Sequence, residues 1–163
     1  MAWLPITFPN SASYAISASY ALSASWAPPV PSVSASYSET ASYYREVKTF
    51  GITIDGGGSV ITTGVKGDIT IPFSCSIDSW YLTADQAGSI VIDIWKDTLA
   101  NFPPTVADSI AGTEKPTLSG VAFNSDTSLT TFTRSLAPND VIRFNVDSVA
   151  TLTRANLVFK AFI

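Results

Sequence analysis

The side chains that could do chemistry in this chain are few. The sequence has no histidine, one cysteine (Cys75) and one methionine. Without histidine there is no Ser–His–Asp triad, no Cys–His pair and no imidazole general base. A single cysteine cannot form an intrachain disulfide, and without histidine it cannot complete an ordinary structural zinc site. We therefore expect a protein that is not an enzyme, with no catalytic, cofactor-binding or metal-binding residues.

The remaining chemical candidates lie on one predicted strand, residues 89–97. Its alternate isoleucines are predicted to face a core, so Asp93, Trp95 and Asp97 share the opposite face. An exposed tryptophan between carboxylates resembles a platform for sugar stacking, which makes these residues the predicted receptor-contacting face. Packing of Trp95 and Val91 against a neighbouring subunit, or over the sheet edge, is the alternative and is favoured over glycan contact. The two carboxylates lie about 13 Å apart along a strand, outside the ~5–10 Å range of glycosidase pairs, which disfavours polysaccharide cleavage.

Other polar clusters favour structural roles. The glycine-rich stretch 55–58 is not followed by Lys-Ser/Thr, so it predicts a hairpin turn rather than a phosphate-binding loop. Asp68 with Asp78, or Asn139 with Asp140, could offer oxygen ligands to calcium, but their spacing matches no recognised calcium loop. Solvated turn carboxylates are the simpler interpretation.

Charge and hydropathy exclude several partners. The 163 residues include nine Lys+Arg and 13 Asp+Glu, for a net charge of −4. Such a chain lacks the basic footprint of a nucleic-acid-binding protein. No stretch approaches the ~18 uninterrupted apolar residues of a membrane-spanning helix, so no membrane insertion is expected. Residues 1–9 contain two prolines and no basic residue, unlike a secretory signal, so we expect synthesis in the cytoplasm of a host.

A six-residue repeat dominates the first part of the chain. Ser-Ala-Ser-Tyr/Trp recurs from residue 11 to 26 and resumes at 34 after a proline cluster. Within each block the apolar residues alternate with serine or alanine, and a period of two is typical of an extended strand with one buried face. The predicted buried positions are Tyr14, Ile16, Tyr20, Leu22, Trp26, Tyr37 and Tyr43. A flexible linker, or an arm packed on another protein, remains the alternative.

One chain is too short to cover this apolar face by itself. Three identical chains around a common axis would bury the aromatic side chains and leave no open sheet edges. We therefore predict a trimeric β-shaft over residues 11–46, interrupted at 27–32 because proline cannot donate to a strand ladder. Residues 1–10 are predicted to be a docking tip that binds a larger assembly. Its apolar residues are Trp3, Leu4, Ile6 and Phe8.

Residues 47–163 are predicted to form an all-β, jelly-roll-like β-sandwich knob. Alternating runs occur at 50–54, 69–75, 90–94, 142–146 and 155–161, separated by glycine- and proline-rich turns. Three further strands near 59–65, 77–83 and 127–134 would bring the number to about eight. Cys75 falls in phase with the apolar residues of its run, which predicts a small core residue. Residues 98–120 lack alternation and form the longest predicted irregular connection.

Several stretches resemble a known family. Residues 51–67, 84–97, 101–105 and 114–118 are similar, in this order, to a small β-sandwich domain of tailed-bacteriophage virion proteins. The Ser-Ala-Ser-Tyr-Ala hexads separately resemble repeats in the slender shafts of phage fibres. This resemblance implies a virion component, in particular a trimeric tail fibre for host attachment. Its expected partners are other virion proteins through the N-terminus, and a host-surface glycan or protein. A capsid decoration protein or head fibre is the first alternative, and a polysaccharide depolymerase the second.

Overall fold

The computed structural model describes residues 45–163. The predicted docking tip (1–10), with its four apolar residues, lies outside the described residues, and so do the seven predicted core positions of the shaft. Within residues 45–163, no helix is long and apolar enough to cross a membrane.

The described part of the chain is all-β, which confirms the predicted class. The strands are β1 (Val47–Asp55), β2 (Gly64–Thr70), β3 (Cys75–Thr98), β4 (Thr117–Asp126), β5 (Ser135–Leu136), β6 (Asp140–Ala150) and β7 (Arg154–Phe162). Two single turns of 3-10 helix, Leu99–Asn101 and Val106–Asp108, interrupt the connection between β3 and β4.

The strands form one antiparallel sheet organised around β3, which is 24 residues long. Residues 76–84 of β3 pair with β7, and residues 89–98 pair with β6. Strand β1 lies beyond β7, and β2 lies beyond β6. We call β1, β7 and the first half of β3 the first arm, and β2, β6 and the second half of β3 the second arm. Strand β4 pairs with β3 in both arms.

The sheet curls where the two arms join. The register of β3 against β4 shifts between Thr83 and Ile90, and Gly88 lies in this interval. A Cβ at Gly88 would lie 2.5 Å from the Leu152 side chain and 2.6 Å from the Thr151 hydroxyl, so glycine permits the close approach at the bend. At the far edges, Ile52 of β1 packs directly against Gly67 of β2. The curled sheet therefore encloses its own core.

Alternation along the strands supplies that core. Ile90, Ile92 and Ile94 are fully buried, as their spacing predicted. Phe159 lies at the centre, with its ring 5.4 Å from Phe50; the rings of Phe132 and Phe144 lie 5.9 and 6.5 Å from it. Burying side chains of this size stabilises the fold by about 1.5–3 kcal/mol each.

The predicted core position of Cys75 is also confirmed. The residue is 8% exposed. Burial raises the pKa of its thiol, with a smaller contribution from the charge of Asp140. Cys75 therefore behaves as a small apolar residue of the core rather than as a reactive thiolate.

Several predicted strand limits are wrong. The runs 77–83 and 90–94 belong to the single strand β3, residues 127–134 are irregular, and β4 occupies the end of the stretch predicted to be a loop. Residues 55–58 do form a turn, in which the Asp55 carboxylate accepts a hydrogen bond from the Gly57 amide at 2.7 Å. It is not a hairpin, because β1 and β2 pair with different strands. Alternation predicts that a segment is extended, but it does not reveal its partner.

Candidate functional site

Asp93 does not lie on an exposed face, so the prediction of its exposure is wrong. Its side chain is 1% exposed. The carboxylate accepts hydrogen bonds from the Ser109 hydroxyl at 2.6 Å, the Trp95 indole nitrogen at 3.0 Å and the Ile94 amide at 2.8 Å. The physical reason is that the chain after β3 folds back over this face. Ser109 bridges to Trp95 on the neighbouring β3.

A lysine completes the Asp93 cluster. The Lys115 ammonium lies 2.9 Å from the Asp93 carboxylate and 2.8 Å from that of Asp147. Burial raises the pKa of Asp93, but hydrogen bonds from Ser109, Lys115 and Trp95 outweigh it and hold the pKa below its ordinary value. The pKa of Lys115 is raised, first by its hydrogen bond to Asp147. The cluster therefore remains charged and fastens the connection between β3 and β4 to the sheet.

Trp95 and Asp97 are half-buried and also serve the local structure. The Trp95 indole N–H donates a hydrogen bond to the Asp93 carboxylate. The Asp97 carboxylate accepts hydrogen bonds from the Thr98 amide at 2.6 Å and the Asn101 side-chain amide at 3.1 Å. Trp95 and Asp93 are thus in direct contact, whereas Asp97 has separate partners, and the polar atoms of all three are occupied by neighbouring parts of the chain.

The carboxylates considered for calcium lie in separate ion pairs. Asp68 binds Arg143 through two hydrogen bonds of 2.6 and 2.8 Å. Asp78 lies 3.1 Å from the Lys160 ammonium. Asp140 lies 3.4 Å from the Lys96 ammonium and accepts a hydrogen bond from the Ala137 amide at 2.9 Å. Within residues 45–163, no three cysteine, aspartate or glutamate side chains come together as a metal site would require.

The segment 99–108 presents apolar side chains from a fixed position. Leu99, Phe102 and Val106 are each more than half exposed. Arg143 holds the segment, because its guanidinium lies 5.2 Å from the centre of the Phe102 ring and donates a hydrogen bond of 3.2 Å to the Pro104 carbonyl. The hydrogen bond from Arg143 to Asp68 raises the pKa of the guanidinium. The segment therefore holds its three exposed apolar side chains in a fixed position on the surface.

Glu114 is an important residue that the sequence interpretation missed. Its carboxylate accepts hydrogen bonds from the amides of Thr130, Thr131 and Phe132 at 2.7–3.0 Å, and from the Thr130 hydroxyl at 2.7 Å. The Thr130 contacts contribute most, and together these bonds lower the pKa of Glu114 from 4.5 to about 2. No local motif marks this residue, because its partners are 16 to 18 positions away. Glu114 orders residues 127–134, which were predicted to be a strand.

Replacing Glu114 with glutamine is expected to flatten the acid dependence of stability. The folded-state pKa lies below the unfolded value, so the stabilisation is complete above pH 4.5 and is lost as the pH falls toward about 2. Urea midpoints measured from pH 7 to pH 2 should show the variant less stable at pH 7 and the two proteins converging near pH 2. An equal difference at both ends of the range would contradict the assigned role.

Comparisons with known proteins establish no family. No protein-family model matches this chain, and no curated protein sequence does. Among solved structures, a chain from the structure of infectious bursal disease virus Gx strain matches at 13% identity and a TM-score of 0.34. The match covers 74% of this chain and 32% of the viral chain, so this chain spans about a third of that protein's length. A similarity at this level carries no argument about function.

Proposed function

We propose that this chain is a non-enzymatic fibre protein of a tailed-bacteriophage virion, trimeric and used for host attachment. The observation that carries the proposal is the hexad repeat of residues 11–43, placed directly before an all-β unit. The similarity of the repeat and of four later stretches to phage fibre and virion proteins supports the same conclusion. In this proposal residues 1–10 dock on the particle and residues 47–163 are the distal knob.

The described unit suits such a role. It encloses its own core, and its irregular connections are fastened by Glu114 and by the Asp93–Lys115 pair. A rigid knob can present a weak binding surface, because three knobs on one shaft raise the apparent affinity by factors of ~10²–10⁴. The carboxylates of Asp93 and Asp97 are engaged in local hydrogen bonds, which argues against their use as a hydrolytic pair.

The native mass of the full chain tests the trimer. We expect about three times 17.3 kDa for the full chain, and a monomer or a weaker assembly for a shortened chain that begins at Val47. Light scattering after size-exclusion chromatography gives both masses. A full chain that stays monomeric when correctly folded would overturn the proposed shaft. A trimer that persists after the shortening would move the site of trimerisation into the knob.

The position of the protein on the particle tests the attachment role. Gold-labelled antibodies against residues 47–163 should mark tail fibres, and the same antibodies should block adsorption to the host. Labelling of the capsid without any block of adsorption would instead support a decoration protein or head fibre.

A further inference from the structure

The outer face of the first arm carries a row of four side chains, one from each of four neighbouring strands. None of them belongs to the hydrogen-bond clusters of Asp93 or Glu114. Residues directly opposite each other in antiparallel strands project from the same face. Phe123 of β4 lies opposite Thr83 of β3. Thr83 lies opposite Asn156 of β7, which in turn lies opposite Thr53 of β1. Leu82, next to Thr83, is fully buried, so the row points outward. With strands ~4.8 Å apart, the row is ~14 Å long.

Two aromatic side chains flank one end of this row. Phe123 is 57% exposed and Tyr81 is 37% exposed. Tyr81 is two residues before Thr83 on β3 and therefore lies on the same face. Exposed rings on a rigid sheet offer flat apolar surface at a low cost in side-chain entropy. The C–H face of a pyranose ring is a flat apolar surface of matching size.

The middle of the row supplies two hydrogen-bonding side chains, and one of them, Asn156, is held in place. The Asn156 amide oxygen accepts a hydrogen bond of 3.0 Å from the Thr53 hydroxyl, which orients the amide. In the part of the chain that the structure describes, the Asn156 amide nitrogen and the Thr83 hydroxyl make no hydrogen bond. Together they offer three N–H or O–H donors and the lone pairs of one hydroxyl. These are the donors and acceptors that bind sugar hydroxyl groups.

The row also runs along two shallow depressions. Thr83, Asp85, Arg154 and Asn156 line the first, and Asn156 also lines the second together with Thr53 and Gly51. The Arg154 guanidinium is paired with Asp55 at 2.8 Å, so its charge is locally neutralised. The Asp85 carboxylate, held by the Thr153 hydroxyl, adds an acceptor. The charge of these depressions therefore suits a neutral ligand better than an anionic one.

We infer that this saccharide face, made of Tyr81, Thr83, Asp85, Phe123 and Asn156, binds a chain of neutral hexose or N-acetylhexosamine units. One sugar ring packs on Phe123 and Tyr81, and the next units hydrogen-bond to Thr83, Asn156 and Asp85. The site deepens the proposed attachment function, and its biological role rests on that function. It lies on the opposite arm from the predicted face at Asp93, Trp95 and Asp97, whose polar atoms are already occupied.

A protein partner fits this face less well. The aromatic patch consists of only two partly exposed rings, one on β4 and one on β3, and the other residues of the row are polar. Protein interfaces instead have a continuous apolar centre. An interface between copies of this chain is nevertheless a distinct outcome of the experiment below, because Phe123 would then be buried in the assembly.

The site is tested by saturation-transfer NMR on the full chain. The probes are maltotriose, cellotriose, mannotriose, galactotriose and N,N′,N″-triacetylchitotriose. We expect at least one probe to receive saturation, most strongly at its ring C–H protons. F123S and N156A should each lower the apparent affinity about tenfold, the expected loss for one aromatic contact or one to two hydrogen bonds. V65S is the matched control, since Val65 is 47% exposed on β2 of the second arm, and it should leave the affinity unchanged.

Three results would overturn the inference. In the first, none of the five probes receives saturation. In the second, F123S and N156A both bind the probe as tightly as the unchanged protein. In the third, the native mass of F123S falls, which would identify a contact between copies of the chain. Circular dichroism confirms that each variant is folded. The proposed fibre is judged separately: a trimer that binds no sugar leaves the fibre standing, and a monomer that binds sugar leaves the saccharide face standing.

Discussion

Replacing Gly51 with alanine is expected to destabilise the protein by about 3 kcal/mol, the upper end of the usual range for overpacking. A Cβ at Gly51 would lie 2.0 Å from the Leu157 carbonyl oxygen and 2.9 Å from the Val158 Cα. Both are backbone atoms of β7, the strand with which β1 pairs, so no side-chain rotation relieves the clash. β1 must shift away from β7, and it then loses its ladder of hydrogen bonds.

Urea unfolding and amide hydrogen exchange measure this effect. Exchange should accelerate most in Val47–Asp55, the strand that is displaced. T49A is the matched control, because Thr49 is an exposed residue of the same strand, and its loss should stay within about 0.5 kcal/mol. Equal stability of G51A and T49A would mean that β1 does not approach β7 as closely as described.

Replacing Asp93 with alanine is expected to cost about 3 kcal/mol. The carboxylate is 1% exposed and accepts three hydrogen bonds besides its ion pair with Lys115. Its removal takes the acceptor from the buried Ile94 amide and from the half-buried Trp95 indole, and a buried donor without a partner costs about 1–3 kcal/mol. The connection between β3 and β4 should loosen first, because Ser109 and Lys115 are its points of attachment.

Asp147 provides the matched comparison. It binds the same Lys115 ammonium but is 33% exposed, so D147A should lose no more than about 1 kcal/mol, as exposed ion pairs do. Thermal unfolding of the two variants at pH 7 gives the difference. A D93A protein as stable as D147A would show that the cluster does not hold the connection, and would restore Asp93 as a candidate for receptor contact.

The two outer faces of the sheet differ for a simple reason. On the second arm, the connection between β3 and β4 returns over the sheet and occupies the polar atoms of Asp93 and Trp95. On the first arm no such connection of residues 45–163 occupies Thr83 or the Asn156 amide nitrogen. The proposed ligand-binding surface is therefore on the first arm, although the sequence pattern placed the candidate receptor face on the second arm.

The all-β class, the centres of the strands and their inward-facing residues could be predicted from the order of the amino acids alone. Ile90, Ile92, Ile94 and Cys75 were all assigned correctly to the core. These predictions succeed because a period of two is a local property: an extended segment that buries one face must place its apolar residues at alternate positions. The prediction of an extended shaft rests on the same local argument. Its repeat lies outside the described residues, so the shaft stays a prediction.

How the strands combine, and which outer face is covered, depends on contacts between distant parts of the folded chain. The fusion of two predicted strands into β3, the burial of Asp93 and the anchoring of residues 130–132 by Glu114 all depend on segments that are distant in the sequence. Alternation predicts that a side chain points away from the core, but it does not indicate whether another segment packs over that side chain. That outcome depends on the path of the whole chain, which no single stretch of residues encodes.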